Sequence, residues 1–203
     1  MSRTKEPAKP NLDTATRGDV RTVVEFFRSI GLAVKPKSGA IGFVPGIEIE
    51  NGTLFIDKGS CLPGDLLHEA GHLAVLPSLF RRQANTDLDV VMETMGEYLS
   101  ADATGGENTL SRAILQSGEC EATAWAWAAG MHLGLPANVI IQPKANMDGD
   151  DEGAPGIRLA LSANSYFGIN GLQAAGWCAV RGGAYAKALG LPVYPNLAFW
   201  LQG

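Results

Sequence analysis

A chain of 203 residues, 46% hydrophobic and 18% charged, is long enough to bury one good core, and a single domain is expected. A net charge of -5 gives no electrostatic footprint for nucleic acid or an anionic membrane, so protein or peptide partners are expected. Cys61, Cys120 and Cys178 are odd in number and lack C-x-x-C spacing, which argues against a disulfide framework or a cysteine zinc knuckle.

Residues 1–17 read as a flexible tail, leaving 18–203 as the folded domain. The tail has charge and proline but no apolar stretch of a signal peptide, and no apolar run in the chain is long enough to span a membrane. The cytoplasm is the expected compartment, with delivery by a specialised secretion route left open. From Val20 to Ile30 apolar residues recur with helical period and Gly31 supplies a stop. Leu32 to Lys35 suggests a short strand, and Ile47 to Ile56 a hairpin turning at Asn51-Gly52. That hairpin either covers the core or offers a strand edge to an extended peptide.

The segment Leu67-His68-Glu69-Ala70-Gly71-His72 follows and matches H-E-x-x-H, using two of the three histidines in the chain. Pro63 suits a first helical turn, Asp65 suits the positive helix end, and Pro77 stops the helix. On such a helix His68 and His72 share a face and can bind one Zn2+, with Glu69 beside the open coordination position as general base. Asp87 to Leu99 carries an apolar stripe at helical spacing, and Thr109 to Gln116 suggests another helix.

A third protein ligand is still required for a catalytic zinc site. His132 lies at the end of an apolar helix and is better explained as a cap or a partly exposed ring, while Cys120 belongs to a ligand class typical of structural sites. The helix from Gly118 to Gly130 carries Glu119 and Glu121 at its start, among Ala and Trp. A buried carboxylate needs a partner, and a metal is one; the positive helix end accounts for at least one of the two.

The run Glu121-Ala122-Thr123-Ala124-Trp125-Ala126-Trp127-Ala128, ending in Leu135-Pro136, resembles the second motif of ImmA/IrrE-type zincin peptidases. The resemblance covers the two helices and implies Glu121 as third ligand, giving a metal set of His68, His72 and Glu121 with Glu69 as the catalytic base. Trp125 stands where that family often has a small polar residue, and the long gap from His72 to Glu121 implies an inserted helical segment over about 78–117. No helix-turn-helix segment precedes the catalytic region.

Asp148-Gly149-Asp150-Asp151-Glu152-Gly153 looks like the start of a calcium loop, but Leu159 occupies the closing position, so a solvated acidic loop is expected. The last fifty residues are expected to form helices over the catalytic pair. Tyr166, His132 and Arg181 are the donors that can face a tetrahedral oxyanion, with core or surface duty the plainer role for each. The expected fold is α+β, a mainly helical zincin-like domain with a small antiparallel sheet before the H-E-x-x-H helix. The expected function is a zinc metallopeptidase acting on a protein or peptide, or else a zinc-stabilised, non-catalytic binding or regulatory protein on the same scaffold. Peptide deformylase shares H-E-x-x-H, but Cys61 lacks the sequence context that enzyme expects.

Overall fold

The computed structural model describes residues 14–143 and 153–203. The expected N-terminal tail and acidic loop therefore lie largely outside the described residues. Helix α1 (Thr14–Ser29) starts ahead of Val20 and includes four residues assigned to the tail. Val20, Val23, Val24 and Phe27 on one face are almost fully buried, and Gly31 at φ +92° ends the element.

Strands β1 (Ala33–Pro36), β2 (Ile47–Glu50) and β3 (Thr53–Ile56) form one sheet in the order β1-β3-β2. The hairpin forms as expected. Asn51 at φ 48° and Gly52 at φ 70° make the two positive-φ positions that suit the twist of the flanking strands. Ile47, Ile49, Leu54 and Ile56 face the core, while Glu48 and Glu50 on the other face both pair with Lys37, at 2.8 and 2.7 Å. The sheet is mixed, not antiparallel: β1 runs parallel to β3, and β2 antiparallel to it. Strand β3, with Leu54 and Ile56 almost fully buried, lies in the centre, so the chain crosses from β1 to the far edge before returning through the hairpin. Edge strand β1 ends in Pro36, which offers no N–H to a further strand.

Helix α2 (Pro63–Val75) begins with the proline and stops at Leu76, ahead of Pro77. Three helices occupy the expected insertion: α3 (Ser78–Arg81), α4 (Asp89–Ala101) and α5 (Thr109–Leu115). Arg81 donates to the carbonyls of Leu73 and Leu76 at the end of α2 and to that of Gln202, tying the last residues to this helix. Helix α6 (Glu119–His132) then runs through the core beside α2. Ala122, Ala124, Ala126 and Ala128 are fully buried, as is Trp125, whose indole N–H donates to Trp200 O at 3.1 Å. Burial of each large apolar side chain of this kind stabilises the fold by roughly 2 kcal/mol.

Small side chains let α2 and α6 approach closely. A Cβ on Gly71 would lie 2.5 Å from the carbonyl oxygen of Ala122. Short helix α7 (Ala137–Ile140) meets the start of α2, where a Cβ on Gly64 would lie 2.5 Å from Val139 O. Helices α8 (Ala154–Ser162), α9 (Phe167–Ala174) and α10 (Ala184–Leu189) follow. Helix α9 packs on α6 as expected, its Gly168 and Gly171 lying against Cys120 and Glu121. The architecture is α+β, with the sheet small and preceding α2. No helix among the described residues is long and apolar enough to cross a membrane.

Candidate metal centre

The buried face of α2 fixes where its polar face points. Leu66, Leu67, Ala70, Leu73 and Ala74 are wholly inaccessible, which turns His68, Glu69 and His72 toward a cleft. The two imidazoles lie one turn apart, nearly perpendicular, with their Nε2 atoms 3.2 Å from each other. The third group in this cluster is Glu119, the first residue of α6. Its Oε1 is 3.1 Å from His68 Nε2 and its Oε2 is 2.8 Å from His72 Nε2. A tetrahedral ion with bonds of about 2.0–2.1 Å needs donor atoms roughly 3.3 Å apart, and the Nε2 pair at 3.2 Å and the His68–Glu119 pair at 3.1 Å lie near that spacing. His68, His72 and Glu119 thus form a group able to hold a metal ion, and no fourth His, Cys, Asp or Glu among the described residues belongs to it. The Glu119 side chain is 71% exposed, so the cluster faces solvent on that side. The imidazoles, His68 foremost, hold the Glu119 carboxyl well below the usual carboxylate range.

Glu121, expected as third ligand, is not brought to the imidazoles. It is buried against Gly171 of α9 and Gly118 at the start of its own helix. Burial pushes its carboxyl up, while the backbone N–H groups of Glu121 and Gly118 pull it partly back. With Gly118 as N-cap, Glu121 stands at the third helical position and serves as a first-turn cap. The reason is angular: two residues along a helix turn by about 200°, so Glu119 and Glu121 leave α6 on opposite sides. The contact of Gly71 with Ala122 fixes which side meets α2, and Glu119 and Thr123 lie on it. The i, i+3, i+4 set of Glu119, Ala122 and Thr123, paired with the bare Gly71, is the sequence signal that places Glu119 with the imidazoles.

Around the cluster, Glu69 is largely withdrawn from water. That burial raises its carboxyl, with the two imidazoles opposing the shift. Thr123 Oγ1 lies 3.4 Å from His68 Nδ1, where it would accept from an Nδ1–H if Nε2 were given to an ion. Tyr166, immediately before α9, lines the same cleft beside Thr123. Burial raises its phenol, and the neighbouring Thr123 hydroxyl acts in the opposite direction. His132 lies elsewhere, its ring 5.6 Å from Phe26 and 5.1 Å from Trp200. Arg181 is exposed and does not line the cleft. Cys61 is buried, with its thiol pushed up to about 11, and is not part of the cluster.

The cleft has a volume of about 780 Å³ and runs between the 43–44 loop, the start of α4, the end of α7 and α8. It does not offer the outer edge of β2 to an extended peptide at Ile49. There the Ile49 N–H donates to Thr86 Oγ1 at 2.9 Å, and the Thr86 N–H donates to Ile49 O at 2.8 Å. The N–H of Asn51 donates to Asn85 Oδ1 at 3.0 Å, and that of Gly52 to Ala84 O at 2.8 Å. The segment before α4 thus already pairs with the hairpin at Ile49 and at its turn. No family model, curated protein or solved structure matches this chain.

Proposed function

We propose that the protein is a zinc-dependent, zincin-like metallopeptidase acting on a protein or peptide. The observation that carries this reading is the convergence of His68 Nε2, His72 Nε2 and the Glu119 carboxylate in a cleft that also holds Glu69. Zinc bound there would supply Lewis acidity, polarising a scissile carbonyl and bringing the pKa of water toward neutrality. Glu69, adjacent to the first ligand in sequence and withdrawn from bulk water, accepts a proton on its carboxylate and returns it to the leaving amine. Thr123 holds the His68 ring in orientation through Nδ1. Tyr166 is the phenol in the cleft that can donate to the developing oxyanion.

Elemental analysis of purified variants tests the ligand set. About one zinc per chain is expected for wild type and Glu121→Ala, and a strong loss for Glu119→Ala, His68→Ala or His72→Ala. Retention of zinc by Glu119→Ala with loss in Glu121→Ala reverses the ligand assignment. Glu69→Gln is expected to keep zinc and fold while losing hydrolysis. Unchanged turnover by that variant excludes the proposed base, and a zinc-loaded wild type that hydrolyses no peptide points to a binding role for the scaffold.

A further inference from the structure

The lining of the cleft has one sign of charge. Asp65, Glu69, Asp87, Asp89 and Glu119 all line it, and no Lys or Arg among the described residues does. A divalent ion would balance Glu69 and Glu119, which leaves Asp87 and Asp89 to set the sign of the field at the rim beside α4. Asp87 and Asp89 are exposed and flank Leu88 at the start of α4. The Asp89 N–H donates to Asp87 Oδ1 at 2.9 Å, which holds the two on one turn. Much of the remaining lining is aliphatic, from Val44, Leu62, Leu88, Ile140, Ile141 and Ile157. Backbone pairing at Ile49 is already taken by Thr86, so strand addition at that point does not compete with selection by side chains in the cleft. An acidic rim beside an aliphatic wall complements a cation on a long stem next to an apolar residue.

We propose that the cleft selects peptides carrying lysine or arginine beside a bulky aliphatic residue, with Asp87 and Asp89 receiving the cation. This rests on the peptidase reading for the identity of the bound chain, but its test separates the two. Zinc-loaded Glu69→Gln protein is titrated into fluorescein-labelled octapeptides of alanine with a central Leu-Lys-Leu, Leu-Gln-Leu or Leu-Glu-Leu, and anisotropy is read at low and high salt. The lysine peptide is expected to bind about tenfold more tightly than the glutamate peptide, with the difference shrinking as salt rises. Adding Asp87→Asn and Asp89→Asn together is expected to reduce that preference about fivefold, leaving zinc content and affinity for the glutamine peptide unchanged. Asparagine can still accept from the residue 89 N–H, so the helix start is retained. Equal binding of the three peptides, preference for glutamate, or an unchanged ratio in the double variant overturns the proposal. Lysine preference without hydrolysis by the wild type defeats the peptidase reading alone, and hydrolysis without charge preference defeats this inference alone.

Discussion

Replacing Gly71 with alanine tests the contact on which the metal centre is built. In an unobstructed helix interior this change stabilises by roughly 0.5–1 kcal/mol, because glycine loses more backbone freedom on folding. At position 71 the new Cβ would lie 2.5 Å from Ala122 O and 3.1 Å from the C and Cα of that residue, against 3.4 Å for an ordinary contact. The oxygen is about 0.9 Å too close, and a backbone carbonyl inside α6 cannot rotate away as a flexible side chain can. Helices α2 and α6 must separate or tilt. Overpacking of this kind costs about 1–3 kcal/mol, and a backbone obstacle argues for the upper end. After the propensity gain, a net loss of about 2 kcal/mol remains, which for a chain of this size lowers Tm by about 4–8 °C.

The same displacement reaches the metal ligands. Glu119 precedes Ala122 by three residues on one face of α6, so pushing α6 from α2 opens the 2.8 and 3.1 Å separations between its carboxylate and the imidazoles. A loss of zinc affinity of about tenfold or more is expected, since ligand sites tolerate only about 0.5 Å of displacement. The control is Gly96→Ala on α4, an exposed helix position where nothing lies within 4 Å of the added Cβ. That variant is expected to gain about 0.5–1 kcal/mol and about 1–4 °C. Thermal unfolding by circular dichroism without metal, together with zinc competition against a chromophoric chelator, reads both effects. A Gly71→Ala protein that matches Gly96→Ala in stability and wild type in affinity refutes the close approach of α2 and α6.

Thr123→Val removes the hydroxyl 3.4 Å from His68 Nδ1 while keeping the side-chain shape, and is expected to weaken zinc binding by up to about tenfold with little change in Tm; unchanged affinity in the chelator competition removes Thr123 from the site. Cys61 and Cys178 are buried, with thiols pushed up to about 11 and about 12, so iodoacetamide should label Cys120 alone in the native protein, as read by peptide mass. Both pKa values lie above the ordinary 9.0, so this contribution to stability is intact below about pH 9 and is lost as pH rises through 11 to 12. Urea midpoints should therefore fall on the alkaline side, and a Cys61→Ala, Cys178→Ala protein should show a smaller fall.

The elements legible in the sequence are those set by short-range chemistry. Helix α2 begins at Pro63 because proline suits a first turn, and the hairpin turns at Asn51-Gly52 because both residues accept positive φ. The apolar stripe locates α4 to within two residues and the Ala- and Trp-rich run locates α6 as closely, whereas α1 begins six residues ahead of its stripe. What was hidden depends on partners distant in the chain. The pairing of Ile49 with Thr86 spans 37 residues and has no local signature, yet it decides that the edge of β2 is closed there. The neighbour of β1 is set by a crossover that no pattern inside the strands specifies. Thr123, four residues after Glu119 on the same face of α6, lies 3.4 Å from His68 Nδ1, a neighbour that only the packing of α6 on α2 supplies.

The opposite fates of Glu119 and Glu121 show why burial is a poor guide to a ligand at the mouth of a cleft. A carboxylate closed off between helices needs compensation at once, and Glu121 finds it in the first-turn N–H groups and the positive end of α6. No metal is required to account for its burial. A side chain that is to hold an exchangeable ion would instead have to remain within reach of solvent and substrate, and Glu119 is so placed. Its exposure would be unremarkable on any surface helix. It acquires meaning because the two imidazole Nε2 atoms face the same carboxylate at 3.1 and 2.8 Å, and because the bare Gly71 lets the two helices meet closely enough to put them there.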